Sequence, residues 1–221
     1  MIQEIIHVYL MPGMAASPKI FENIKLPKNQ FELHLLEWLI PIPKESLSAY
    51  ALRLSLKVKH DNVVLLGVSF GGILVQEMNK HINIRKLIIV SSVKSSNELP
   101  RRMLLAKKTK AYKLLPMQLA SNIDLFSKYA FGSNVKKRLE LYKKYLSVSD
   151  ATYLSWAIEQ MVCWNQDEFP QEMIHIHGDN DPVFPIKYIG ECITVKGGTH
   201  IMILNKFKWF NENLPKLILG N

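Results

Sequence analysis

Six short apolar segments recur along the chain, and longer amphipathic stretches follow several of them. Some of these segments are apolar at consecutive positions, which is typical of parallel strands that helices cover on both faces. A strand, a helix and a strand in repetition predict an α/β fold, with a mostly parallel sheet wrapped by helices. We expect about six strands, at residues 5–11, 31–36, 62–68, 85–91, 173–177 and 191–195, and helices at 46–59, 72–81 and 201–214.

The alternation stops between the fourth and fifth strands. Residues 95–170 contain no convincing strand, and their apolar spacing predicts amphipathic helices at 101–115, 135–146 and 153–164. We therefore predict a core made of residues 1–94 and 171–221, and a helical insertion made of residues 95–170. On a parallel sheet, an insertion of this size is expected to form a lid over the end where ligands bind.

Length and composition restrict the class of protein. The 221 residues, of which 48% are hydrophobic and 21% charged, suit one domain with an insertion and exclude a disordered or collagen-like chain. No apolar run is long enough for a transmembrane segment, and the first residues do not resemble a secretory signal. We therefore expect a cytoplasmic protein in which Cys163 and Cys192 are buried, reduced thiols.

The sequence GVSFGG at residues 67–72 ends the third predicted strand and begins a helix. A nucleophile on such a tight turn has a strained backbone and projects from the sheet, while Gly67 and Gly71 let the strand and the helix approach closely. The amino end of the helix directs free N–H groups at developing negative charge. We interpret Ser69 as a nucleophile. The alternative is a glycine-rich strand-to-helix turn of the kind found in nucleotide-binding sheets.

Two further turns follow the ends of predicted strands. HGDNDP at residues 177–182 follows the fifth strand and GGTH at 197–200 follows the sixth. Both lie at the carboxyl edge of the sheet, where open parallel sheets place their sites. His200 would take the proton of Ser69, and Asp181 would hold the other ring nitrogen and stabilise the imidazolium.

With these motifs in this order, the chain resembles the α/β-hydrolase superfamily over nearly its whole length. The resemblance implies that Ser69 is the nucleophile, His200 the base and Asp181 the acid. Asp181 is chosen because the family's His-Gly-x-x-Asp turn matches residues 177–181. Asp179 is a competitor for this role, and we interpret it as a turn residue that bonds to its own loop.

The resemblance also implies an oxyanion hole, formed by the backbone N–H of Phe70 and one from the loop after the first strand. That loop reads MPGM at residues 11–14, and many family members have His-Gly where this chain has Pro12-Gly13. Because the glycine is retained, we choose the N–H of Met14 as the second donor; a simple turn is the alternative role for this loop. The chain also begins almost directly at the strand before this loop, as in a minimal version of the family.

Basic residues are concentrated in one segment. Residues 94–144 contain thirteen Lys or Arg and three acidic residues, a net charge of +10 in a chain whose total is +9. This segment is either a solvated helix surface or a guide for an anionic partner, such as an acidic acyl carrier protein, a coenzyme A thioester or an anionic lipid surface. No recognised nucleic-acid-binding module accompanies the charge, so we expect no nucleic-acid partner. The large apolar residues of the insertion would line an acyl pocket or pack its own core: Met103, Leu104, Met117, Leu119, Phe126, Trp156, Met161 and Trp164.

The sequence thus predicts a serine hydrolase that cleaves a carboxylic ester or thioester with an apolar acyl part, through an acyl-enzyme. No cofactor is expected. No metal site is expected either, because no cluster of ligands at metal-binding spacing is visible along the chain. Two alternatives stay open: a lyase of the same superfamily that uses the same triad, as in menaquinone synthesis, and a non-catalytic binding module.

Overall fold

The fold is described from a computed structural model that covers residues 4–114 and 144–220. Six parallel strands form one sheet in the order β2-β1-β3-β4-β5-β6. All six predicted strands are confirmed, with ends that differ from prediction by at most two residues, and the sheet is wholly parallel. The strands are β1 (Ile6–Met11), β2 (Phe31–Leu35), β3 (Val63–Val68), β4 (Lys86–Val90), β5 (Ile174–Gly178) and β6 (Ile193–Val195).

Helices connect and cover these strands. The two that follow β2 and β3 pack against each other, and the second also packs on β3 and β4. The α-helices that lie wholly within the described residues are α1 (Leu47–Ser55), α2 (Phe70–Met78), α3 (Arg101–Thr109), α4 (Ala151–Cys163), α5 (Met202–Asn205) and α6 (Phe207–Leu219).

Two helix predictions need correction. The helix expected at 201–214 is two helices, because Lys206 between them has a φ of −114° and a ψ of 21°, outside the helical region. The second of them, α6, continues to Leu219 and buries Leu214 and Ile218 on either side of Pro215. The helix expected at 101–115 ends at Thr109, because Lys110 has a left-handed φ of 56°. The helix predicted at 135–146 falls mostly outside the described residues.

The described parts of the predicted insertion pack on the core through two tryptophans. Trp156 donates a hydrogen bond from Nε1 to the carbonyl oxygen of Glu45 (2.7 Å), and its ring lies 4.4 Å from that of Tyr50. Trp164 is buried and donates from Nε1 to a carboxylate oxygen of Glu77 (2.9 Å). Both tryptophans therefore join the insertion to the core.

Of the other proposed pocket residues, Met117, Leu119 and Phe126 lie outside the described residues. The boundaries of the lid stay a prediction.

Within the described residues, no helix has the length and apolar character needed to cross a membrane. Cys163 and Cys192 are unpaired, as expected. Both are partly exposed rather than buried, because Cys163 is the last residue of α4 and Cys192 precedes β6 at the edge of the sheet.

Candidate active site

Ser69 occupies a strained turn between β3 and α2. Its φ of 54° and ψ of −123° are unfavourable for a residue with a side chain. Two hydrogen bonds with residues at the end of β4 hold this conformation: the N–H of Ser69 donates to the carbonyl oxygen of Val90 (2.9 Å), and the Ser92 hydroxyl donates to the carbonyl oxygen of Ser69 (2.7 Å). The end of β4 thus fixes the backbone on both sides of the candidate nucleophile.

Gly67 and Gly71 occupy positions where no side chain fits. A Cβ atom on Gly67 would collide with the carbonyl oxygen of Gly71, and one on Gly71 would collide with that of Pro12. Because of these close approaches, the turn packs directly on the loop that follows β1. Gly13 of that loop lies against Ser69, since a Cβ built on Gly13 would be 3.4 Å from the Ser69 Cβ.

The structure brings Ser69, His200 and Asp181 together at the carboxyl edge of the sheet, in turns that follow β3, β6 and β5. His200 Nε2 lies 2.9 Å from Ser69 Oγ. His200 Nδ1 lies 2.9 Å and 3.2 Å from the two carboxylate oxygens of Asp181. All three residues are buried. In this arrangement an imidazole can take the serine proton while a fixed carboxylate stabilises the imidazolium.

The carboxylate of Asp181 is held in the charged state. Its Oδ1 accepts hydrogen bonds from the N–H groups of Val183 (2.8 Å) and Phe184 (3.0 Å). Burial raises the pKa of Asp181, but the neighbouring His200 and the backbone hydrogen bond outweigh burial, and the pKa falls below its usual value. Asp181 is therefore ionised at neutral pH.

Two further histidines are buried near this carboxylate, and Nε2 of the nearer one, His177, lies 3.6 Å from Oδ2 of Asp181. His177 donates from Nε2 to the carbonyl oxygen of Phe184 (2.8 Å), and its Nδ1 lies 3.2 Å from Nε2 of His175. Burial lowers the pKa of His177, and it lowers the pKa of His175 to about 3. Both rings are neutral at pH 7, so they brace the turn that carries Asp181 without adding charge.

The prediction that Asp179 bonds to its own loop was wrong. The Oδ1 atom of Asp179 accepts a hydrogen bond from the N–H of Gly197 (2.7 Å), in the turn that carries His200, and not from its own loop. The same two turns touch where Gly178 faces Gly198, because a Cβ on Gly178 would collide with the Gly198 carbonyl oxygen. Asp179 therefore joins the acid turn to the histidine turn, while Asp181 bonds the imidazole.

The two predicted oxyanion donors flank Ser69. Phe70 is the first residue of α2, and Met14 follows Gly13 in the loop that packs against the serine. Neither backbone N–H donates a hydrogen bond to a group in residues 4–114 or 144–220. Two such groups on either side of a nucleophile can stabilise a negative oxygen that forms on the attacked carbonyl.

Trp38 is a residue of this site that carries no sequence signal. It lies between β2 and α1, donates from Nε1 to the carbonyl oxygen of Gly13 (2.9 Å) and stacks on the ring of Phe70 (centroids 5.3 Å apart). The carbonyl of Gly13 and the N–H of Met14 belong to one planar trans peptide and point in opposite directions. The bond from Trp38 therefore fixes the direction of the Met14 N–H.

The predicted insertion contacts the loop after Gly13. The N–H of Val148 donates to the carbonyl oxygen of Ala15 (3.0 Å), and the N–H of Ser17 donates to that of Tyr145 (2.8 Å). The N–H of Ala15 also makes a long bond (3.4 Å) to the hydroxyl of Tyr153. Ala15 has a left-handed φ of 63°, so these contacts surround a strained residue next to the candidate oxyanion donor.

No protein-family model and no curated protein matches the chain. Solved structures do match it. A hydrolase from Pseudomonas aeruginosa PA01 superposes with a TM-score of 0.72, at 15% identity over 98% of this chain and 91% of that one. An enol-lactonase from Burkholderia xenovorans LB400 gives 0.67 (12% identity, 98% and 92%). A bromoperoxidase from Bacillus anthracis gives 0.66 (17% identity, 99% and 93%). These matches span nearly the whole of each chain, and at such identities they establish the fold.

Proposed function

We propose that the chain, which has the α/β-hydrolase fold that its motifs predicted, is a serine hydrolase of carboxylic esters or thioesters. The observation that carries this proposal is the hydrogen-bonded series from Ser69 Oγ through His200 to Asp181. The fold alone does not decide the reaction, because one fold supports many chemistries, and the three similar structures already bear three different names. The hydrolase and the enol-lactonase among them agree with acyl chemistry.

The geometry supports a two-stage reaction. His200 Nε2 accepts the proton of Ser69 as Oγ attacks the carbonyl carbon, and the N–H groups of Phe70 and Met14 bind the negative oxygen that results. When this intermediate collapses, His200 returns the proton to the leaving oxygen or sulfur, and the acyl group stays on Ser69. His200 then deprotonates a water molecule that attacks the acyl-enzyme, and the serine is regenerated. Asp181 holds Nδ1–H throughout.

Aromatic rings near the serine support an acyl group of apolar character. Phe70 follows Ser69 directly, Trp38 stacks on Phe70, and Phe184 lies against the His200 ring with centroids 5.6 Å apart. Phe70 and Phe184 are fully buried, so the partly exposed Trp38 is the ring of this group that a ligand can contact. Apolar rings of this kind form the walls of many small-molecule sites, while a few polar groups fix the orientation of the ligand. We therefore begin the substrate panel with esters that have apolar acyl chains.

The proposal is tested with an active-site fluorophosphonate probe and peptide mapping, followed by p-nitrophenyl esters of increasing acyl length. We expect a single labelled peptide that contains Ser69, and a burst of p-nitrophenol that equals the enzyme concentration where deacylation is slow. Turnover of a substrate without a burst or an acyl-enzyme would favour the lyase. Absence of both labelling and turnover would favour a binding module.

Trp38→Phe should lower kcat for a p-nitrophenyl ester by about tenfold, because it removes one donor that orients the oxyanion loop, an effect of about 1.4 kcal/mol. The phenyl ring keeps the stack on Phe70, so KM and the thermal midpoint should change little. Steady-state kinetics and thermal melting measure these values. A rise in KM at unchanged kcat would instead assign Trp38 to substrate binding.

If the basic segment guides an anionic substrate, added salt should lower kcat/KM for a coenzyme A thioester and leave that for a neutral ester nearly unchanged. Salt shortens the range of the attraction to about 8 Å at physiological ionic strength and further above it. Neutralising Lys136, Lys137 and Arg138, which lie outside the described residues, should have the same effect as salt through slower association. Equal salt responses of the two substrates would identify the segment as a solvated surface.

A further inference from the structure

Three histidines from distant parts of the sequence meet on one face of the sheet, away from the candidate active site. His7 belongs to β1, His34 to β2, and His60 to the segment between α1 and β3. Each histidine contributes one ring nitrogen to a group of three nitrogens that all lie within 4.8 Å of one another. His7 Nδ1 and His34 Nε2 are 3.0 Å apart, and the rings of His7 and His60 stack with centroids 3.8 Å apart.

The sheet register explains this convergence. His7 is paired with Glu32, and Tyr9 with His34. Because side chains alternate between the two faces of a strand, all four point to the same face. The Tyr9 hydroxyl lies 2.8 Å from Nδ1 of His60, and it accepts a hydrogen bond from the backbone N–H of Lys59 (3.0 Å). These two contacts hold His60 over the strands.

We propose that His7, His34 and His60, with the carboxylate of Glu32, bind a divalent transition metal ion, with zinc the best match. Zinc in proteins takes imidazole nitrogen and carboxylate oxygen at about 2.0 to 2.2 Å, usually as a tetrahedron, in which neighbouring ligand atoms are about 3.3 Å apart. Here the two nitrogens of His7 and His34 are 3.0 Å apart, and oxygens of Glu32 lie 3.6 Å and 4.0 Å from them. The rings of His7 and His60 are nearly parallel (9°), so one ion cannot lie in both ring planes. In the metal-bound form, the exposed His60 ring would turn out of this stack and the Glu32 carboxylate would swing towards the three imidazoles.

A hydrogen bond of His60 agrees with metal binding. The Tyr9 hydroxyl beside His60 Nδ1 resembles the second hydrogen bond that orients most metal-binding histidines.

The position of the cluster points to a stabilising role. His7 pairs with Val63 at the amino end of β3, whereas Ser69 follows Val68 at its carboxyl end. Five residues of extended strand separate these levels by about 16 Å. A bound ion would therefore not reach the ester carbonyl. It would instead join β1, the edge strand β2 and the segment before β3, and so resist opening of this edge of the sheet.

Zinc binding to the full chain, purified without a histidine tag and treated with a chelator, tests the proposal by isothermal titration. The critical variant is His60→Ala, because His60 is exposed and its replacement leaves the sheet intact. The matched control is His81→Ala, an equally exposed histidine outside the cluster whose described partner is Ser48. Cobalt(II) provides a second probe through the visible absorption of its four-coordinate complexes.

We expect one zinc ion per chain in the parent protein and in His81→Ala, and affinity at least about tenfold weaker in His60→Ala. Zinc should raise the thermal midpoint of the first two proteins more than that of the third. The absence of saturable binding, equal affinity in His60→Ala and the parent, or equal losses in both variants would overturn the proposal. Ester turnover before and after chelation is recorded separately and should not change, so the result does not depend on the proposed hydrolase activity.

Discussion

Ser69→Ala should lower ester turnover on the order of 10⁶-fold and abolish labelling by the fluorophosphonate probe. The variant lacks the only atom that can form the acyl-enzyme, while His200 and the oxyanion donors stay in place. Its stability should hardly change. Alanine has the same Cβ as serine and meets the same steric cost at a φ of 54°, and the hydrogen bonds that hold the turn use the backbone of residue 69.

Steady-state kinetics, probe labelling and thermal melting measure this prediction together. Ser48→Ala is the matched control, because Ser48 is an exposed serine on α1, outside the site. It should retain the turnover and labelling of the parent. If Ser69→Ala retained parental turnover at a normal thermal midpoint, the proposed mechanism would be wrong even though the fold would stand.

Asp181→Asn should reduce kcat by about 10³- to 10⁴-fold. In the parent protein, Oδ1 accepts the N–H groups of Val183 and Phe184, and both carboxylate oxygens face Nδ1 of His200. The amide oxygen of the variant is expected to keep the two backbone bonds, which turns the amide N–H group towards His200. The imidazole must then accept at Nδ1 and carry its proton on Nε2, where it can no longer receive the proton of Ser69.

Asp179→Asn is the comparison that the structure offers. Asp179 accepts one N–H bond from Gly197, and an amide oxygen can accept that bond equally well. We therefore expect a much smaller loss of kcat, with the thermal midpoint close to that of the parent. Kinetics of the two variants at saturating ester decide between the carboxylates. A larger loss in Asp179→Asn than in Asp181→Asn would transfer the role of acid to Asp179.

Much of this fold could be predicted because its signals are local. The strands are short apolar runs, and GVSFGG must form a tight turn wherever a strand precedes it and a helix follows it. The structure brings Ser69, Asp181 and His200 within hydrogen-bonding distance, at the sheet edge where strand order alone placed their turns. The sheet topology therefore accounts for most of the placement of these three residues, since the carboxyl ends of parallel strands lie at one edge of the sheet.

The remainder could not be predicted, because it depends on contacts between residues that are distant along the chain. Trp38, which lies between β2 and α1, donates a hydrogen bond to Gly13, which lies between β1 and β2. The residues next to Trp38 in the sequence form no motif that would predict this contact. His7, His34 and His60 were without context in the sequence, since 27 and 26 positions separate them, and only the register of β1 and β2 unites them. Asp179 was misassigned for a similar reason, because its partner lies in a different turn.

The hydrogen bonds between the insertion and residues 15–17 have a consequence for how such a protein can diversify. Ala15 has a left-handed conformation, and it accepts one backbone hydrogen bond from Val148 and donates one to the hydroxyl of Tyr153. The predicted insertion thus has two unequal parts, of which one, residues 145–153, supports the loop that carries the candidate oxyanion donor Met14. New substrate preferences can arise by exchange of the rest of the insertion, whereas residues 145–153 have to be inherited together with the loop that they support.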